Sequence, residues 1–294
     1  MNYYLTAAGL RILSAHSALR NAYRWVGNRC ISKSVYMPKT RWIWEEVVKE
    51  GVDNEGHALL ELGTGWVHAG SLYSALLIDA AITAFDVWDN RTLDGTKNEI
   101  SRVEDAIQMA EDHSLSDKTR ARERSAIALQ AKTFDDLYKA LNITYVVDNE
   151  GIPPLPEASM DMIYSQDVLE HVERGSFDSS ILAWRRILKP RGRFLALVGL
   201  DDHLAHYDNT KSMKEYLYHS NVSWEWLLSN KLQYINRLTA TEIIAAFRRN
   251  GFEVENFETE RCSVNFAAVH PYYRWQTQAD MEATCLKLYA RAVP

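Results

Sequence analysis

The sequence predicts a doubly wound α/β fold, and three observations carry that reading. The apolar run Ala58 to Leu62 has the length and composition of a strand buried on both faces, and Gly63 and Gly65 then let the backbone turn sharply at its carboxyl end. Ser71 to Leu77 is apolar at helical spacing, so strand, glycine turn and helix follow one another as at the first crossover of such a sheet, where ligands bind by topology. Further apolar runs also end in acids: Ala81 to Phe85 before Asp86, Ile143 to Val147 before Asp148, and Met162 to Ser165 before Asp167 and Glu170. Glu61 is read as the acid that ends the first strand.

These acids bear on what the glycine turn holds. A dinucleotide fingerprint wants a third glycine where this chain has His68, and a phosphate-cradling loop wants a lysine that is absent. If the strand ends line one crevice, a pyrophosphate meets several negative charges at close range. A cationic ligand with ribose hydroxyls and amino groups is favoured there instead. The charge pattern therefore points to a sulfonium cofactor.

With ELGTGW at residues 61–66, LEHV at 169–172 and DHLAHYD at 202–208, the chain resembles the class I S-adenosylmethionine-dependent methyltransferases. Within them it resembles a bacterial small-molecule, sugar-type group with ELGTGW and DHxxHxD motifs, over roughly Leu59 to the chain's end. The resemblance implies S-adenosylmethionine as cofactor and a Rossmann-like, seven-stranded, mostly parallel sheet in the order 3-2-1-4-5-7-6. It places Gly63, Thr64, Gly65 and Trp66 under the methionine part of the cofactor, Asp86 on the ribose hydroxyls, and Asp148 with Asn149 at the adenine amino group. It also assigns Glu61 and the segment Ser165, Gln166, Asp167 and His171 to the cofactor. Asp167 as a helix N-cap and His171 as a packed structural histidine are the competing readings. The family's usual third glycine is Val67 here.

Length and composition bound the remaining possibilities. A chain of 294 residues with 47% hydrophobic content builds one large core with appendages, and nothing resembles a low-complexity linker. A net charge of −6 and a pI near 5.9 argue against dedicated nucleic-acid or anionic-membrane binding. Cys30, Cys262 and Cys285 suggest neither a disulfide framework nor a zinc site, so a cytoplasmic location is expected. Neither a secretory peptide nor a membrane-spanning run is expected.

Residues 1–50 read as an N-terminal helical cover ahead of a methyltransferase domain at 51–294. Leu5 to Val26 is amphipathic, with Arg11, Arg20 and Arg24 between its apolar positions, and a second helix follows near Arg41 to Glu50. The segment carries eight Lys or Arg, the others being Arg29, Lys33, Lys39, Arg41 and Lys49, against three acids. A solvated packing face explains this excess, and a substrate lid or dimer arm would also fit.

A helical insertion is expected near 96–141, because Ile100 to Leu141 is charged, alanine-rich and too long for one crossover helix. A break at Asp112 to Asp117 divides it into two helices, the second capped by Ser116 or Asp117. Pro153, Pro154 and Pro156 make a rigid loop before the fourth strand. Ile181 to Leu188 follows as a helix stopped by Pro190 and Gly192, with Phe194 to Val198 as the fifth strand. A substrate cap is expected near 201–238, its aromatics Tyr216, Tyr218, Trp224 and Trp226 serving as core or as a sugar-stacking face. Thr239 and Glu242 form a capping box that opens a helix to Asn250; Phe252 to Phe257 and Thr284 to Ala290 supply the last strands.

The density of titratable groups after the fifth strand marks the chemistry. An incoming hydroxyl must lose its proton as it attacks the methyl group, and a histidine is suited to accept it. His203 or His206 is assigned as the base, with Asp208 orienting it. The rival readings are a divalent metal held by His203, His206 and Asp208, and a purely substrate-contacting loop. Tyr207, Asn236 and Arg237 are candidate substrate contacts, and no metal is assigned.

The expected function is O-methylation of a small polar acceptor such as a sugar or natural-product intermediate. An N- or C-methyltransferase of a small metabolite and a non-catalytic partner subunit remain the alternatives. The expected partner is a small-molecule acceptor, with no nucleic acid and no membrane, and a homo-oligomer is compatible.

Overall fold

The computed structural model describes residues 2–15, 19, 37–51 and 56–294. The expected first helix beyond residue 15, apart from residue 19, lies outside the described residues, as do Arg20, Arg24, Arg29, Lys33 and Cys30.

Seven strands form one sheet: β1 (Ala58–Leu62), β2 (Ala81–Asp86), β3 (Ile143–Val147), β4 (Met160–Gln166), β5 (Leu188–Gly199), β6 (Phe252–Arg261) and β7 (Ala283–Ala292). Their order is β3-β2-β1-β4-β5-β7-β6, the doubly wound, mostly parallel arrangement expected. β1 pairs in parallel with β2 and β4, and β2 pairs in parallel with β3. In register, Leu62 faces both Phe85 and Ser165, and Asp86 faces Val147. The residues leaving these four strands therefore share one edge.

Two strands are longer than their apolar runs. β4 begins at Met160 and β5 at Leu188, directly after the helix Phe177–Ile187. Pro190 and Gly192 end that helix without delaying the strand. A Cβ on Gly192 would lie 3.0 Å from the Asp161 carbonyl oxygen, so a glycine allows this close passage. Lys189 Nζ meets the Asp161 carboxylate at 2.7 and 2.8 Å.

The stretch after β2 holds three helices, Leu93–Met109, Leu115–Leu129 and Phe134–Leu141, rather than two. Ser114 caps the second in a reciprocal capping box with Asp117, and Thr133 caps the third with Asp136. Arg120 donates to the Leu77 carbonyl at 2.6 Å, and Arg124 to the Ala75 and Ile78 carbonyls at 2.7 Å. These arginines satisfy the carbonyls at the end of the helix Ala69–Leu77, where cations are favoured.

The chain divides into two compact units. The first comprises residues 27–166, 182–195 and 291–294; the second comprises 1–26, 167–181 and 196–290. In the second unit, the helix Tyr3–Ala15 gives Tyr3, Ala7 and Leu10 to a core with Leu204, Tyr216, Trp224 and Tyr273. Of the four aromatics noted in the sequence, Tyr216 and Trp224 are buried, Tyr218 packs against this core and Trp226 is exposed.

Candidate functional site

In the first unit, the turn after β1 is shaped by backbone hydrogen bonds and two left-handed glycines. Gly63 and Gly65 have φ of 71° and 67°. Gly63 and Thr64 both donate their N–H to the Phe85 carbonyl, at 2.9 and 3.0 Å, which folds the turn over the end of β2. The Asp86 Oδ2 accepts the Gly65 N–H at 2.8 Å and its Oδ1 accepts the Trp88 N–H at 3.2 Å. Burial raises the Asp86 carboxyl above its ordinary range, against these backbone hydrogen bonds. A Cβ on Gly65 would meet nothing within 4 Å, so the turn borders open space.

Glu61 is committed to holding this turn from inside. Its Oε2 accepts the Ser71 N–H and the Thr64 hydroxyl at 2.9 Å each, and the Ser71 hydroxyl as well. Burial pushes its carboxyl up to about 7, outweighing those hydrogen bonds. Gly70 makes room for it: a Cβ there would lie 2.5 Å from Glu61 Oε1 and 2.9 Å from Trp44 Nε1.

His68 supplies the left-handed residue before the helix, with φ 57° and ψ 36°. It is fully buried, its Nδ1 is 2.9 Å from the Thr64 hydroxyl, and its Nε2 is 3.1 Å from the Tyr138 hydroxyl. Burial and then Arg91 hold its pKa down to about 3, so the ring is neutral. Arg91 in turn lies over the rings of Tyr145 and Phe134, at 4.3 and 4.4 Å.

The other residues expected at the cofactor divide between the units. Asp148 donates its N–H to the Asp86 carbonyl at 3.1 Å and accepts the Glu150 N–H at 2.8 Å. Asn149 beside it is exposed, Trp66 and Gln166 are half-buried, and Ser165 is buried. Asp167 and His171 belong to the second unit. Asp167 has φ 51° and precedes a short turn of helix, Leu169–His171, that Val168 leads into.

In the second unit, Asp202 caps the 3₁₀ helix His203–Tyr207 by accepting the Leu204 N–H at 3.0 Å. Its other oxygen accepts the Tyr3 hydroxyl at 2.7 Å, and burial pushes its carboxyl up to about 6. His206 Nε2 lies 2.5 Å from Asp201 Oδ2. Burial would raise Asp201, but the His206 hydrogen bond and nearby His203 keep it below the ordinary carboxylate range. The His203 ring is edge-on to His171 at 5.1 Å, and burial followed by His171 lowers its pKa to about 4.

Asp208, expected to orient the base, is engaged elsewhere: it accepts the Tyr3 N–H at 3.0 Å and the Thr210 hydroxyl at 2.6 Å. Asp201 is the carboxylate beside a histidine. Tyr207 accepts from Gln233 Nε2 at 2.6 Å. Asn236 donates to the Leu169 and Val172 carbonyls at 2.8 and 3.0 Å and accepts the Leu238 N–H at 3.0 Å, so its side chain braces the Leu169–His171 turn. Arg237 donates to the Tyr273 hydroxyl at 2.6 Å and to Asn221 and Glu225 at 2.9 Å each. With Arg174, Tyr234, Tyr273 and Gln276 it lines a cavity of about 200 Å³, where Arg237 Nε and Gln276 Oε1 are buried without hydrogen-bond partners.

Residues 60–196 match the family described as a methyltransferase domain. That match spans a little under half of the chain. No curated protein matches it by sequence. Among solved structures it is similar to S-adenosylmethionine-dependent methyltransferases from Methanosarcina mazei and Mesorhizobium loti. The first has 13% identity over 84% of this chain and 97% of that one, with TM-score 0.47. The second has 16% identity over 88% and 100%, with TM-score 0.48. A phosphoethanolamine N-methyltransferase 2 of Haemonchus contortus is similar at 15% identity over 86% of this chain and 53% of that one, with TM-score 0.46.

S-adenosylmethionine, the cofactor that the sequence resemblance implies, is a cation that carries ribose hydroxyls. The observed turn fits such a group: backbone at Gly65 borders open space, and the acids Asp86 and Asp148 leave from adjoining strand ends. Sequence reasoning missed His68, Tyr138, Arg91 and Ser71 as supports of this turn, and Asp201 as the partner of His206. Ser71 alone had a local signal, a hydroxyl in the first turn of the helix that follows a buried acid.

Proposed function

We propose that this protein is a methyltransferase that transfers the methyl group of S-adenosylmethionine to a hydroxyl oxygen of a small polar acceptor, such as a sugar or natural-product intermediate. The observation that carries the chemistry is the pairing of His206 with Asp201, an imidazole at the surface held by an adjacent carboxylate. The acceptor oxygen attacks the methyl carbon as the carbon–sulfur bond breaks, neutral S-adenosylhomocysteine leaves, and His206 takes the hydroxyl proton. Asp201 orients the ring and stabilises its protonated form. His203, with a pKa near 4, is a poor proton acceptor at neutral pH by comparison.

On the donor side, Gly63, Thr64, Gly65 and Trp66 form the turn under the methionine part, Asp86 takes the ribose hydroxyls, and Asp148 with Asn149 faces the adenine. Ser165 and Gln166 complete that wall, and Glu61 acts by holding the turn in shape. On the acceptor side, Arg237 and the tyrosines of the 200 Å³ cavity offer hydrogen bonds and ring faces to a polar molecule. Tyr207 and Asn236 shape that side through Gln233 and the Leu169–His171 turn. A reducing cytoplasm suits the free thiols of Cys262 and Cys285.

The test is a panel of hydroxylated small molecules incubated with the full chain and labelled S-adenosylmethionine. Label is expected on an oxygen, and His206→Ala is expected to keep donor affinity while turnover falls roughly 100- to 10,000-fold. A fully active His206→Ala protein would remove the base assignment, and label on nitrogen or carbon would replace the acceptor class.

A further inference from the structure

The second unit gathers two imidazoles and a carboxylate that the transfer step does not use. One ligand atom each from Glu170, His171 and His203 lies within 4.8 Å of the others. Glu170 is buried, His203 half-buried and His171 exposed, so the group opens outward from a covered acid. Neighbouring residues position Glu170 and His171. Gly199 donates its N–H to Glu170 Oε1 at 3.2 Å, and a Cβ at that glycine would lie 2.8 Å from the same oxygen. Asn236 braces the turn carrying Glu170 and His171 and also donates its own backbone N–H to the Glu170 carbonyl at 2.8 Å.

Two further observations point to a ligand. Glu170 Oε2 is buried without a hydrogen-bond partner, although the residue is only 2% exposed. A native structure rarely leaves a buried carboxylate oxygen unsatisfied. His171 Nδ1 is within 2.5 Å of the Tyr234 carbonyl oxygen and so carries the proton, which leaves Nε2 as a free lone pair. An imidazole that donates its second N–H to a backbone carbonyl is the usual arrangement behind a metal-bound histidine.

We infer that Glu170, His171 and His203 form a binding site for one divalent first-row transition metal ion. Two nitrogens and one oxygen suit such an ion better than magnesium or calcium, which prefer oxygen ligands throughout. Bonds of about 2.0–2.2 Å require the three ligand atoms to draw in to roughly 3–3.5 Å from one another, a side-chain rotation at the half-buried and exposed histidines. Asp208, one of three ligands considered from the sequence, is replaced by Glu170, and His206 by His171. Binding of the ion stands apart from the methyl-transfer reading. A role for its outward positions in holding an acceptor hydroxyl rests on that reading.

The test uses untagged full-length protein stripped with a chelator, then titrated with CoCl₂ by visible absorption and with ZnCl₂ by calorimetry. One equivalent is expected to bind, and His171→Ala and His203→Ala are each expected to weaken binding at least about ten-fold. His57→Ala, far from the cluster in sequence and in the first unit, is expected to bind as the parent does. Circular dichroism confirms that each variant is folded. Should Glu170→Gln unfold, the two histidine variants decide between site and no site. Absence of uptake up to about 1 mM metal, or unchanged affinity in both histidine variants, overturns the site. Methyl transfer by a protein that binds no metal would leave the proposed reaction standing, and metal uptake without any transfer would leave the site standing.

Discussion

The Asp86 carboxylate receives the Gly65 backbone N–H at 2.8 Å, while the Asp86 carbonyl receives the Asp148 N–H at 3.1 Å. One residue thus fixes the glycine turn on one side and the third strand's exit on the other. Asp86→Ala removes the acid that is proposed to bind the ribose and also frees the turn. Hydrogen bonds to a charged group contribute about 1.5–3 kcal/mol each, so S-adenosylmethionine affinity by calorimetry is expected to fall roughly ten- to hundred-fold. Unchanged affinity would exclude Asp86 from the donor site.

Gly70 and Glu61 give a second test of the same turn. An added methyl at Gly70 meets Glu61 Oε1 at 2.5 Å, and Glu61 is tied by Ser71 and Thr64, so it has little freedom to give way. Gly70→Ala is expected to cost about 1–3 kcal/mol of stability and lower the melting temperature by several degrees. Donor affinity is expected to fall with it, because the displaced carboxylate no longer holds Thr64. A variant with parental melting temperature and affinity would show that this packing is loose.

The sequence is legible where local physics dominates. The strands β1 and β3 end where their apolar composition ends, and the Thr239 and Glu242 capping box opens the helix Ala240–Arg249 as expected. The third helix of the insertion is also written locally, in the Thr133 and Asp136 pair, but the charged, alanine-rich composition on either side hides the break. His68 is not legible. A left-handed conformation costs a non-glycine residue about 1–2 kcal/mol, and the offsetting bond comes from Tyr138, 70 positions away. The partner of the histidines escapes sequence reasoning for a different reason. The loop winds into a 3₁₀ helix from His203 to Tyr207, whose period of three brings His203 and His206 to one side. Asp208 lies past its end and turns to the Tyr3 N–H instead.

Asp201→Asn tests the proposed proton path. The carboxylate favours the charged imidazole of His206 at 2.5 Å, so removing its charge makes protonation of the ring harder. The acid limb of the kcat–pH profile is expected to move down by about one unit, with kcat near neutral pH falling roughly ten-fold or more as the ring loses its orientation. Donor affinity is expected to stay unchanged. An acid limb that does not move would mean that His206 is not the titrating base.

Tyr3→Phe tests how the N-terminal helix is fastened to the loop, and it does so through pH. Asp202 is buried and its folded pKa is raised to about 6, above the unfolded value of about 3.9, with the Tyr3 hydroxyl among the groups that limit the rise. A raised carboxyl binds more protons folded than unfolded, so its stabilising contribution is complete below about pH 4 and is lost as pH rises through about 6. Removing the hydroxyl deprives the ionised form of a charge-assisted hydrogen bond, and the neutral form of a weaker one. Destabilisation by Tyr3→Phe is therefore expected to be about 1 kcal/mol near pH 4.5 and about 2–3 kcal/mol near pH 7.5, measured by urea unfolding at both values. A loss equal at both pH values would mean that the phenol acts only through packing and that Asp202 takes its satisfaction from the Leu204 N–H alone.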